Sequence, residues 1–106
     1  MKNRLIKLTE AFMNLLMDGK IKIDHIEYGH IENGPYIGEC EEFWIRIDII
    51  DFVGIQIEKY MRDPIYFNVA IFICPNTVYL NKFPTETANK FFEFFKKRGK
   101  RNKRMG

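Results

Sequence analysis

The sequence predicts an α+β fold, an antiparallel sheet of four to five strands flanked by an N-terminal and a C-terminal helix, on three observations. Apolar residues recur at helical spacing up to Met17, alternate with polar ones at period two between residues 20 and 83, and return to helical spacing after Pro84. A chain of 106 residues holds one core, and 46% hydrophobic residues, with fifteen Ile and ten Phe, are enough to fill it. The expected organisation is a single domain over residues 1–98 and a disordered basic tail over 99–106.

The first helix is expected over residues 3–18. Leu5, Leu8, Phe12, Leu15 and Leu16 share one face, and Ile6, Met13 and Met17 widen it. Asp18-Gly19 supplies the stop, because glycine takes the left-handed C′ conformation without a Cβ clash. So broad an apolar arc exceeds what one sheet face covers, which predicts burial on two sides and a homodimer through this helix or through an uncapped edge strand.

Residues 20–31 read as a strand. Ile21 and Ile23 hold one parity and Ile26 and Tyr28 the other, which predicts a bulge near Asp24-His25. Glu32-Asn33-Gly34-Pro35 reads as a turn. In the next stretch Phe43, Ile45, Ile47 and Ile49 face one way, and Trp44, Arg46, Asp48 and Ile50 the other. A turn or bulge at Asp51–Gly54 precedes a strand holding Ile55 and Ile57, and Arg62-Asp63-Pro64 breaks the sheet. Residues 65–74 are apolar on both faces, which predicts a central strand ending in a small buried Cys74. A short strand follows Pro75-Asn76. Thr85 is the expected N-cap of the last helix, whose stripe is Ala88, Phe91, Phe92 and Phe95 and whose expected end is Gly99.

Charge is distributed unevenly. Residues 96–104, KKRGKRNKR, carry seven positive charges and leave ten Lys and Arg against fourteen Asp and Glu elsewhere. A net charge of +3 is therefore a mildly acidic body joined to a strongly basic tail. No run of about 18 apolar residues is present to span a membrane, and the N-terminus lacks the apolar centre of a secretory signal, so an intracellular (cytoplasmic) location is expected.

Catalytic chemistry finds little foothold. There is no serine. Cys40 and Cys74 stand at no nucleophile spacing relative to His25 and His30, and the two histidines fall on opposite faces of a regular strand, a poor start for zinc. Glu39, Glu41, Glu42, Asp48 and Asp51 read as a solvated acidic sheet face rather than a magnesium site. No catalytic residue, metal ligand or cofactor is expected, and the leaning is away from an enzyme. Trp44, Tyr28, Tyr36, Tyr66, Tyr79 and Phe94 lie outside the main core stripes, available for a second core layer beneath a helix or for base stacking.

The favoured expectation is a non-enzymatic protein that binds single-stranded DNA or RNA. Lys96, Lys97, Arg98, Lys100, Arg101, Lys103 and Arg104 would neutralise phosphate, and Trp44 and Arg46 would contact bases on the sheet. A sheet followed by a Pro-initiated helix is similar, in layout and not in any motif, to several small single-stranded DNA-binding proteins of archaea and their viruses. The alternative is a protein-interaction module, a host modulator or nucleic-acid mimic of viral or plasmid type, acting through an acidic face.

Overall fold

In the computed structural model the chain is described over residues 2–34, 38–48, 52–61 and 64–105, with side chains described over 4–32, 39–48, 52–61 and 64–98. The elements run α1 (Lys2–Met17), β1 (His25–Gly34), β2 (Gly38–Asp48), β3 (Val53–Tyr60), β4 (Tyr66–Ile73), β5 (Asn76–Phe83) and α2 (Thr85–Met105). The five strands form one antiparallel meander in the order β1-β2-β3-β4-β5.

Side-chain alternation assigns the two faces. Phe43 and Ile45 on β2 pair with Ile57 and Ile55 on β3, which pair with Val69 and Ile71 on β4. These residues, with Leu80 and Phe83, form one face of a core completed by Met13 and Leu16 of α1 and by Ala88, Phe91, Phe92 and Phe95 of α2. The α2 stripe is wholly buried, as its spacing predicts. Phe92 is its centre, with ring centroids 5.0 Å from Phe43 and 6.0 Å from Phe67. Both helices contribute to this single core, so both lie on the same side of the sheet.

Several expectations are corrected. The first strand begins at His25, not at residue 20. Ile21 and Ile23 pack on the core from the connection after α1, so the change of parity marks a loop joining a strand and not a bulge. β3, not β4, is central. The two-sided apolar pattern of β4 arises because Phe72, on the face away from the helices, is covered by the Trp44 ring rather than by a second layer. Cys74 is exposed, since β4 ends at Ile73 and the turn into Pro75 carries the thiol outward. At α2, the amide of Ala88 bonds the Pro84 carbonyl, which makes Pro84 the capping position and moves Thr85 into the first turn.

The helix also runs through Gly99 to Met105, past the stop expected at Gly99. One helical glycine costs about 1 kcal/mol. The cationic run at this end is favoured by the negative pole of the helix dipole.

Two irregularities shape the sheet. The β2–β3 register shifts between Arg46 and Asp48, and Phe52, at φ 57°, begins the return into β3. The β4–β5 register shifts between Phe67 and Val69, where Lys82 has φ 53° and donates its amide to the side-chain oxygen of Asn68 at 3.0 Å. The expected turn residue Pro35, the aromatic Tyr36, the strand residues Ile49 and Ile50, the acidic Asp51 and the breaker pair Arg62-Asp63 lie outside the described residues. No described helix is long and apolar enough to cross a membrane.

Candidate functional site

On the sheet face turned away from both helices, β2 presents Cys40, Glu42, Trp44 and Arg46, and β3 presents Gly54, Gln56, Glu58 and Tyr60. β4 adds Tyr66, Asn68, Ala70 and Phe72, and β5 adds Thr77 and Tyr79. Aromatic rings gather at the Arg46 end. Trp44 and Phe72 reach across the intervening strand and stack, with centroids 5.3 Å apart and planes 15° from parallel. Gly54 makes this reach available. It is the register partner of both Arg46 and Phe72, and it places no side chain between them. A Cβ on Gly54 would collide with the Ile45 carbonyl, so the close approach of β2 favours glycine there.

Arg46 holds its guanidinium 5.2 Å from the Phe52 ring centroid and 4.0 Å from Glu27, and Phe52 is exposed. Trp44, Arg46, Phe52, Gly54 and Phe72 together line a cleft. Tyr79, one strand beyond, is the most exposed large apolar side chain of the described residues at 71%.

The middle of this face is acidic. Glu42 and Glu58 are direct register partners, so two carboxylates oppose each other. Glu42 accepts hydrogen bonds from the Trp44 indole at 3.2 Å and from the Gln56 amide at 3.1 Å. Burial raises the Glu58 carboxyl above its ordinary range; a hydrogen bond with Tyr60 opposes this, and the Glu42 charge adds to it. At the far end the Tyr60 and Tyr66 rings stack at 4.8 Å. Burial beside Glu58, Glu42 and Glu41 pushes the Cys40 thiol up to about 12, so Cys40 is no nucleophile at neutral pH.

The helix-covered face holds a second polar cluster. Glu41 is buried, accepts a short hydrogen bond from the Tyr28 hydroxyl and is paired with Lys96 of α2 at 3.1 Å. Burial pushes its carboxyl up, but the hydrogen bonds from Tyr28 and Lys96 and the Lys96 charge outweigh that and leave it below the ordinary range. His30 meets Glu39 at 2.8 Å nearby, and Lys59 meets Glu93 at 3.7 Å while lying 5.5 Å from the Phe92 ring.

The residues singled out in the sequence therefore separate. Trp44 and Arg46 come together on the open face. Lys96 lies on the other side, committed to Glu41. Lys97 and Arg98 are exposed, with the Arg98 guanidinium 5.3 Å from the Phe94 ring. The side chains of Lys100, Arg101, Lys103 and Arg104 lie outside the described residues, on the helical turns that end α2. Arg98 lines a groove with His25 and Ile26, and His25 is the register partner of Arg46. Arg98 thus lies beside the β1 edge at the end that holds Arg46.

The acidic run does not form one solvated face. Glu41 is buried under α2, and Glu42 points the opposite way. Of the spare aromatics, Tyr28 and Phe94 pack on the core side, whereas Trp44, Tyr66 and Tyr79 lie on the open face. His25 and His30 fall on opposite faces as expected, and no group of three or more His, Cys, Asp or Glu suited to a metal ion occurs among the described residues.

Phe52, Gly54 and Phe72 were missed as site residues. The even parity of Phe72, shared with Trp44 once the register is known, was the available signal. Comparison with protein-family models, with curated proteins and with solved structures returns no match for this chain.

Proposed function

We propose that the protein binds single-stranded nucleic acid at the Arg46 end of the open sheet face. The observation that carries this reading is the stacked Trp44–Phe72 pair beside the Arg46–Phe52 pair on a face that neither helix covers. Flat rings on an open sheet accept bases of any sequence, because every base has a π face. Phosphates are kept off the centre of the face by Glu42 and Glu58 and are drawn to the β1 corner. There Arg46 stands on one side of the sheet and Arg98, followed by the basic last turns of α2, on the other. Lys96 is left out of this role by its pairing with Glu41, so the phosphate set is Lys97, Arg98, Lys100, Arg101, Lys103 and Arg104 with Arg46.

Trp44 is the sole tryptophan, so its fluorescence reports directly on the site. Titration with single-stranded oligonucleotides at low salt is expected to quench it. Five phosphate contacts give a slope of roughly −3.5 for log K against log salt, at about −0.7 per contact. Removing residues 97–106 is expected to abolish most of that slope. Trp44→Ala, followed by a labelled oligonucleotide, is expected to weaken binding by about 1–3 kcal/mol with the slope unchanged. Absence of binding to any single-stranded oligomer at low salt overturns the reading.

A further inference from the structure

We infer that α1 is the surface on which a second copy of this chain docks, antiparallel, about a two-fold axis at Ala11. Met13 and Leu16 bury the inner side of the helix, yet Leu5, Leu8 and Leu15 stay 40%, 61% and 42% exposed. Arg4, Leu8, Ala11, Leu15 and Asp18 follow the alternating four-and-three spacing that lines one stripe of a helix, and all five are exposed. The stripe is self-complementary under reversal. With Ala11 on the axis, Arg4 and Asp18 lie seven residues to either side, so each arginine faces the other copy's aspartate. Leu8 and Leu15, three and four residues away, meet each other's counterparts. The small Ala11 lets the two helices approach at the crossing point.

A second observation points the same way. Lys2, Arg4 and Lys7 crowd the positive pole of the helix dipole, Asp18 stands at the negative pole, and α1 has no acid in its first turn and no base in its last. This order opposes the helix's own dipole. An antiparallel neighbour reverses the penalty, because its C-terminal carbonyls and Asp18 come beside Arg4. Among the described residues, neither Arg4 nor Asp18 is engaged in an ion pair within the chain. The contact is isologous, the commonest form of homodimer, and does not depend on the nucleic-acid reading.

A contact centred on one helix lies at the small end of stable interfaces, so the dimer is expected to form and dissociate reversibly around 100 µM. Sedimentation equilibrium of the full chain without nucleic acid tests this. Leu8→Glu, at an exposed position, is expected to leave the melting curve in place and the protein monomeric. Arg4→Asp or Asp18→Arg alone is expected to raise Kd by about tenfold, by setting like charges opposite each other at both ends. The double variant R4D/D18R is expected to return Kd to within about threefold of the parent. A monomer throughout this concentration range, a dimer indifferent to Leu8→Glu, or a charge-reversed double variant that stays weak would each overturn the proposal.

Discussion

On the covered face of the sheet, Phe43, Ile57 and Phe67 meet Phe92 in a buried layer, and Glu41, the one buried carboxylate among the described residues, is matched to Tyr28 and Lys96. On the open face the same strands carry Trp44, Phe72 and Tyr79 in reach of solvent and set two carboxylates, Glu42 and Glu58, against each other. Adjacent residues on one backbone thus serve opposite ends. The covered side is arranged for the lowest free energy of the isolated chain. The other side leaves Trp44 and Phe72 half-buried and Tyr79 exposed, and it tolerates a like-charge pair that favours unfolding slightly.

The strongest test of this contrast is Phe92→Ala. It removes the ring at the centre of the core and is expected to cost about 3–5 kcal/mol in chemical denaturation. An unchanged midpoint would mean that α2 does not pack on the sheet. Next comes Glu41→Gln, expected to cost about 1–3 kcal/mol because Lys96 and Tyr28 lose a charged acceptor. Its pH signature follows from the direction of the shift. A carboxyl held below its ordinary range contributes stability above that range and loses it as pH falls through the folded-state value, so Glu41→Gln should flatten the acid side of the stability curve.

The smallest effect has the opposite sign. The Glu58 carboxyl is raised, so stability falls as pH climbs from the ordinary carboxylate range to the raised value, and the loss persists at neutral pH. Glu58→Gln is therefore expected to stabilise the protein at neutral pH by about 0.2–1 kcal/mol, the size of a cross-strand pair. Destabilisation at neutral pH would show that Glu58 is needed by its hydrogen-bond partner more than it is opposed by Glu42.

Much of the fold was legible because burial leaves a period in the sequence. The stripe Ala88-Phe91-Phe92-Phe95 and the alternation through Phe43, Ile45, Ile55 and Ile57 each identify the inward side without knowledge of any partner element. What failed was everything that depends on neighbours. Ile21 and Ile23 alternate like strand residues but are loop residues on the rim of the core, and β4 seemed central because Phe72 is covered by a ring from another strand. The candidate site followed the same rule. Trp44 and Arg46 stand out by residue type, whereas Phe52, Gly54 and Phe72 join them only through register, and the pairing of Lys96 with Glu41 spans 55 positions of sequence.

The bulge on β5 has a consequence for how the chain behaves in a crowd. β5 ends the sheet, and Val78 and Tyr79 make it an apolar edge onto which another copy's strand could grow. At Lys82 the backbone turns to positive φ, the break is fixed from the β4 side by the Asn68 side chain, and a lysine charge sits at it. A strand approaching from solution finds the ladder interrupted before Phe83, so edge-to-edge stacking into fibres stops after a few bonds. Asn68 thus pins the break that limits how far the β5 edge can pair with a second copy.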